Sequence, residues 1–377
     1  MSDTVFDRVI RHQVQIERAK AGEIKSVNSI ISANDQEILA LISGLPENYT
    51  QFQINNLIKQ IEALNKDYYR EVVTASLRNT ASTTVSFESD FAEETVNKFF
   101  DKSEKTEKIN KDKTLSRVLS STYDGHKLST WVGLLAKDKT NRIRKQIRTS
   151  VVNNEEVSKI ASSTKKAIRV SNSSNQAVTK AYINQSINFT RDDVYLANDK
   201  KVKEIIWSSI LDGGTTLTCG VRSNKRYNAV TKSPIGHSYS WEAGPGLIHW
   251  NCRSVGIPVD ENNVITSGSG EGFVADSGSR TAIGAGSGYE RGDNKTEQGK
   301  RYKIPSKNNS LKKEVVEAST DYETWLKRQP KAFVQDAIGV TKADAFLSGK
   351  ANLGDFVVQD GKELTVKQLE KKLKLGE

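Results

Sequence analysis

Apolar residues recur at helical spacing through the first half of the chain. Val5, Ile10, Val14 and Ile16 open the pattern among charged residues, and Ile30, Ile31, Ile38, Leu39, Leu41 and Ile42 continue it as a second segment. Ser43-Gly44-Leu45-Pro46-Glu47-Asn48 is a breaker. A third segment carries Phe52, Ile54, Leu57, Ile58, Ile61 and Leu64, with Tyr68, Tyr69, Val72 and Val73 beyond, an apolar stripe long enough to predict a helix firmly. Ala81 to Phe87 is β-branched and polar and reads as a strand or an extended link. Helical spacing resumes from Phe91 to Phe100. The mixed charges from Lys102 to Lys113 read as a solvated helix face or loop, and Thr130 to Leu135 as an apolar patch. From Glu155 to Asn198 the pattern is helical again, through Ile160, Ile168, Val178, Tyr182 and Ile187.

The period then changes. Lys203 to Ser209, with Ile205, Ile206 and Trp207, predicts a strand running into an Asp212-Gly213-Gly214 turn. Ile248 to Pro258 predicts its partner, with Val255, Ile257 and Val259 alternating. Residues 267–295 are rich in Gly and Ser and predict a flexible loop. Ser319-Thr320 precede one helix carrying Tyr322, Trp325, Leu326, Phe333, Val334 and Ile338. Gly339 is its stop and Thr341 a new cap. A short helix from Ala343 to Leu347 ends at Gly349, and Phe356-Val357-Val358, a turn at Asp360-Gly361 and a helix from Thr365 to Leu375 follow. No internal repeat is visible. The fold class expected is α+β, mostly helical. A helical module spans 1–150, a Cys/His-containing α+β core 151–266, a flexible Gly/Ser-rich loop 267–300 and a small helical tail module 301–377.

Composition narrows this picture. At 377 residues the chain has room for two or three domains, and 36% hydrophobic content with a mean hydropathy of −0.57 implies a small core in each. No signal peptide is visible at the start and no apolar run approaches bilayer length, so synthesis in a cytoplasm and no membrane role beyond a peripheral one are expected. A net charge of +10 favours contact with polyanions. The excess concentrates in Lys137, Lys139, Arg142, Arg144, Lys145 and Arg148, interrupted only by Asp138, and again from Lys367 to Lys374. On a helix Arg144, Lys145 and Arg148 lie near one face. That cluster reads equally as a non-specific, salt-sensitive phosphate contact and as a solvated face or an interface to an acidic partner. It lacks the interleaved aromatics of a single-strand stacking platform.

The candidate chemistry lies between Trp207 and Val259, which hold both cysteines and two of the four histidines. His249-x-x-Cys252 is a spacing that zinc sites use. Cys219 could be a third ligand and Asp212 or His237 a fourth, but Gly220-Val221-Arg222 follows Cys219, so a Cys-x-x-Cys arm is missing. Three readings stay open: zinc at Cys219, His249 and Cys252; a Cys219–Cys252 disulfide formed after lysis; and two buried thiols with His249 pinning the loop. The expectation is a structural Cys/His cluster of Cys219, His249, Cys252, Asp212 and Arg253 with no metal or cofactor. A Cys/His nucleophile would need a third, orienting group and an oxyanion loop, and neither is evident, so no enzyme is expected. The glycines around Gly268 and Gly270 lack the spacing of a phosphate loop, since Phe273 stands where a glycine is needed. Asp192-Asp193 and Glu155-Glu156 are adjacent on helices and do not face one another. Two cysteines also argue against a disulfide-rich secreted domain.

Taken together the motifs resemble the phage Mu F-like minor head proteins, also called phage head morphogenesis proteins. The resemblance covers roughly 165–375. It rests on Ala181 and Asn184, Tyr195 and Asn198, Trp207, Asp212-Gly213, Thr215-Thr216, Cys219, Pro245, and the closure His249-x-Asn251-Cys252-Arg253. It continues in the tail through Tyr322, Trp325-Leu326, Gln329-Pro330, Gln335, Gly339-x-Thr341, Phe346, Gly349, Leu353-x-Asp355-Phe356, Leu364-Thr365 and Leu369. Two departures, Gly244-Pro245-Gly246 in place of paired prolines and the absent Cys-x-x-Cys arm, count against a metal site. The resemblance implies a minor capsid component in the virion head near the portal, several copies per particle, contacting portal or major capsid protein and packaged DNA. It implies a role in head assembly or genome packaging and delivery. The rival expectation is a basic nucleic-acid-binding protein whose Cys/His cluster holds zinc.

Overall fold

The computed structural model describes residues 4–260, 264–266, 272–274, 279–297, 300–304, 306, 309–358 and 361–373. The chain is mostly helical α+β, about 60% helical, with a helical N-terminal region, a small sheet core and short C-terminal helices. Six helices come first: α1 (Val5–Ser43), α2 (Gln51–Tyr68), α3 (Thr74–Phe99), α4 (Lys111–Ser120), α5 (Leu128–Val152) and α6 (Val157–Ala197). The two N-terminal segments predicted from periodicity are one helix, α1, which stops at the expected breaker. Thr50 caps α2 in a capping box: its Oγ1 accepts from Gln53 N at 3.3 Å while Gln53 Oε1 accepts from Thr50 N at 2.7 Å. A π-helical turn, Tyr69–Val73, joins α2 to α3. Ala81 to Phe87, expected to be extended, lies inside α3. There Leu77, Ala81 and Val85 are buried four residues apart, and Thr84 Oγ1 donates to Thr80 O at 2.7 Å. Tertiary burial along one face overrides the weak strand preference of the threonines.

Two compact units emerge, and neither follows the chain-order boundaries at 150 and 266. One comprises Gln15–Phe91 and Ile109–Asp193; the other comprises Met1–Val14, Ala92–Lys108 and Val194–Glu377. Helices α1, α3 and α6 contribute residues to both. The core of the first joins Ile38 and Ile42 of α1, Ile54, Leu57, Ile58 and Ile61 of α2, Ile143 and Ile147 of α5, and Ile160 and Ile168 of α6. Each such side chain contributes roughly 2 kcal/mol on burial.

The second unit holds the sheets. Strand β1 (Glu204–Ser208) leads to β2 (Leu211–Asp212), a four-residue helical turn α7 (Leu217–Gly220), then β3 (Arg226–Asn228), β4 (Pro234–Ile235) and β5 (Val255–Val259). These give a sheet of order β4-β3-β1-β5, in which β1 has the expected partner in β5, running antiparallel with Trp207 opposite Gly256, although that strand begins at Val255 and not at Ile248. Next come β6 (Val264–Thr266), β7 (Gly272–Val274), β8 (Ser279–Ala285), β9 (Asp293–Glu297), β10 (Lys300–Ile304) and β11 (Leu311–Glu317). The flexible loop expected over 267–300 is therefore corrected: β7 pairs with β6, β9 with β10, and β8 lies between β11 and β2. The rest of that segment, at 267–271, 275–278 and 298–299, falls outside the described residues. Composition hid a period of two, since β8 alternates exposed and buried positions. The tail likewise begins with strands, β10 and β11, before its helices.

The single helix expected from Tyr322 to Ile338 is two, α8 (Tyr322–Lys327) and α9 (Lys331–Ile338), separated at Pro330. Asp321 caps α8, its Oδ1 accepting from Thr324 N at 2.6 Å. Gly339, at φ +87°, separates α9 from α10 (Val340–Leu347), so Thr341 lies within a helix instead of capping one. A 3-10 turn (Leu353–Phe356) and α11 (Val366–Leu373) close the described chain. Leu211, Leu217, Tyr322, Trp325, Leu326, Phe333, Phe346, Leu353, Phe356 and Leu369 form one buried cluster.

Candidate functional site

The site is assembled by two segments that β1 and β5 hold side by side. After β2, Thr216 caps α7, its Oγ1 accepting from Cys219 N at 3.4 Å, and so fixes where the Cys219 side chain emerges. Gly220 follows because the Tyr322 ring lies against it: a Cβ there would meet that ring at 2.6 Å. In the second segment Cys252 N donates to His249 O at 2.9 Å, a turn that presents both side chains just before β5. Cys219 Sγ lies 3.6 Å from Cys252 Sγ and 3.2 Å from His249 Nε2, which is 3.1 Å from Thr216 Oγ1. Both cysteines are buried and free, and His249 is half-buried.

These separations decide between chemistries. A disulfide needs sulfurs about 2.05 Å apart, so the structure shows two thiol sulfurs in contact. Tetrahedral zinc, at about 2.3 Å to sulfur and 2.0 Å to nitrogen, sets ligand edges of roughly 3.8 Å for S···S and 3.5 Å for S···N. The observed 3.6 and 3.2 Å are close to those edges. The three donor atoms all lie within 4.8 Å of one another, so this group could hold a metal ion. Neither residue considered as a fourth ligand joins it. Asp212 forms a two-pronged ion pair with Arg253, at 2.7 and 2.8 Å, and accepts from Gly214 N at 3.0 Å. His237 Nε2 sits 2.8 Å from Arg226 O, its ring against Tyr227.

The two thiols are driven apart electrostatically. The hydrogen bond to Cys252, together with burial, holds the Cys219 thiol well above its ordinary value. Burial would raise Cys252 too, but hydrogen bonds from Cys219 and His249 and the nearby imidazole outweigh it and hold Cys252 well below.

Several supporting residues were not singled out from sequence. Ser209 Oγ donates to Cys219 O at 2.7 Å and lies 3.3 Å from Ser254 Oγ. Arg280 donates to Ser209 O, and burial lowers its pKa to about 10. Tyr322 Oη donates to Asp212 O at 3.2 Å. Arg222 is fully buried, donates to Ser240 O at 3.0 Å and Thr218 O at 2.8 Å, and lies over the Trp207 ring. A Cβ at Gly361, φ +81°, would run into its guanidinium. Arg280 was obscured by its Gly/Ser-rich surroundings. For Arg222 the one available hint was an arginine three residues after Cys219, between apolar segments.

The basic cluster lies on α5 in the other unit. Lys137, Arg142, Lys145 and Arg148 are exposed and Arg144 half-buried. Lys139 is a correction: it is 1% exposed, ion-paired with Asp35, and donates to Asn34 Oδ1 at 2.7 Å, because its position on α5 faces α1. Arg142 pairs with Asp138 and Arg144 with Glu62, each at 2.7 Å. No helix among the described residues is long and apolar enough to cross a membrane. No family model, curated protein or solved structure matches the chain.

Proposed function

We propose that the chain is a minor capsid, head morphogenesis protein of a tailed bacteriophage: a structural, non-catalytic part of the virion head, associated with the portal, acting in head assembly or genome packaging and delivery. One observation carries this reading. Apart from Ala181 and Asn184, the residues on which the resemblance rests, from Tyr195 to Leu369, fall within one compact unit. Asp212 pairs with Arg253, Cys219 meets His249 and Cys252, and Tyr322, Trp325, Leu326, Phe346, Leu353 and Phe356 of the tail share a core with Leu211 and Leu217. Burial of both sulfurs, at 2% and 1% exposure, supports a structural use of the cluster over a nucleophilic one.

Cross-linking mass spectrometry on purified phage particles tests it. The expected outcome is the chain present in the particle with cross-links to portal or major capsid protein from lysines within 1–150. Its absence from particles would refute the reading. The second reading, a basic nucleic-acid-binding protein with zinc at Cys219, His249 and Cys252, is favoured by the near-tetrahedral donor spacing. That only three such donors converge among the described residues weighs against it, since structural zinc sites take four.

A further inference from the structure

Helix α5 and the α2–α3 stretch that it faces enclose a groove of about 660 Å³, all within one unit. Its apolar lining is Gly133 of α5, which is exposed, with Val132 and Ala136 of α5 and Tyr69, the first residue of the π-helical turn, buried. Its rim carries Lys66, Arg70, Arg78, Lys137 and Arg144 against a single carboxylate, Glu62. Arg144 is paired with Glu62, and Arg70 with Asp67 and Glu71. Among the described residues Lys66, Arg78 and Lys137 form no ion pair. Three unneutralised cations around an apolar trough ask for an occupant that is both anionic and apolar.

We propose that this groove binds an acidic, amphipathic peptide segment of a partner protein, its carboxylates on the lysines and arginines and its apolar side chains over the open surface at Gly133. The spread of charge excludes a single small anion: Lys66 and Arg78 stand twelve residues apart, about 18 Å at 1.5 Å per residue. A DNA duplex is convex and stiff and cannot reach the floor of a concavity. Single-stranded nucleic acid needs aromatic faces for stacking, and the one aromatic residue lining the groove, Tyr69, is 0% exposed. The π turn fits this use, since such turns widen a helix locally and recur at functional sites. The inference is independent of the head-assembly reading, so binding by a protein absent from particles would refute one and not the other.

Fluorescence anisotropy on the full chain at physiological salt tests it, with a labelled peptide of glutamates carrying leucines at helical spacing. Comparison probes are the same peptide with glutamines for glutamates and a labelled oligothymidine. The acidic peptide is expected to bind at least tenfold more tightly than either. Lys66→Ala, Arg78→Ala and Lys137→Ala together should weaken it at least tenfold. Lys312→Ala with Lys313→Ala, exposed lysines of β11, should not. Gly133→Leu provides the steric test. A Cβ at Gly133 meets nothing within 4 Å and leucine is the better helix former, so the variant should keep its thermal stability yet lose the peptide. Oligothymidine binding more tightly than the peptide, equal losses from the β11 lysines, or full binding by the Gly133→Leu variant would each overturn the proposal.

Discussion

Lys139 illustrates how burial reassigns a charge that local pattern places at the surface. It sits in a run of basic residues, yet its ammonium is enclosed between Asp35, Asn34 and the Tyr69 ring, 5.4 Å away. Lys139→Met leaves Asp35 buried without its cation and should destabilise the protein by about 3 kcal/mol. Adding Asp35→Leu removes the stranded charge and should recover stability to within about 1 kcal/mol of the parent. Urea denaturation of the single and double variants checks this, and a double variant as unstable as the single one would contradict it. The pH dependence has a definite sign. Burial outweighs the attraction of Asp35 and lowers the Lys139 pKa, so above that value the unfolded chain binds more protons, and stability rises with pH until the unfolded value of about 10.4. The contribution is complete above that value and lost as pH falls through the folded one; Lys139→Met abolishes it. Not all residue-scale features were so hidden. His249 and Cys252 were legible as neighbours because only two residues separate them, whereas the Asp212–Arg253 pair and the Ser209–Arg280 support depend on strand pairing that no local window contains.

Among the elements, the long helices were legible and their irregularities were not. Ile61, Asn65, Tyr69, Val73, Leu77, Ala81 and Val85 are all buried and follow one another in steps of four. Each such step drifts about 40° around a helix of 3.6 residues per turn, so an unbroken α-helix would carry the stripe away from its partners. The π-helical turn takes up one extra residue and withdraws about 100° of that drift. The steps of four were present in the sequence, but Asn65 and Tyr69 among them broke the apolar run and concealed the period. Deleting Val72, which is 41% exposed within the turn, should convert it to α-helix and preserve the buried faces on either side, lowering Tm by only about 2–4 °C. Deleting Ser82, exposed in regular α3, should turn Val85 and Glu88 about 100° out of line with Leu77 and Ala81 and abolish cooperative melting. Circular dichroism melts separate the two, and equal damage from both deletions would show that the turn does not absorb the register. The hairpins of the Gly/Ser-rich segment escaped prediction for a different reason: main-chain ladders need few apolar side chains, so composition says little about them.

At the scale of the whole molecule, the interleaving of two units was illegible because it depends on which distant helices pack together, while the mostly helical α+β class followed directly from the periods. The net charge of +10 also reads differently once the pairs are known. Of the six basic residues singled out on α5, Lys139 is buried with Asp35, Arg142 is held by Asp138 and Arg144 by Glu62. Among the described residues this leaves Lys137, Lys145 and Arg148 outside ion pairs. Three available cations releasing about 0.9 counterion each predict a slope of about −3 for log affinity against log salt on duplex DNA, with weak, sequence-independent binding. Lys145→Ala with Arg148→Ala should reduce it to about −1. A slope steeper than about −5 would place the contact on cations elsewhere in the chain. Repeating the titration with a zinc chelator separates the two functional readings, because metal that holds the Cys/His unit together contributes to folding itself. A head component whose cluster is held by thiol contacts should bind DNA with the same slope and the same affinity in the chelator. If the cluster is instead zinc-dependent, chelation should lower both the melting temperature and the DNA affinity, and the nucleic-acid-binding reading would then displace the first.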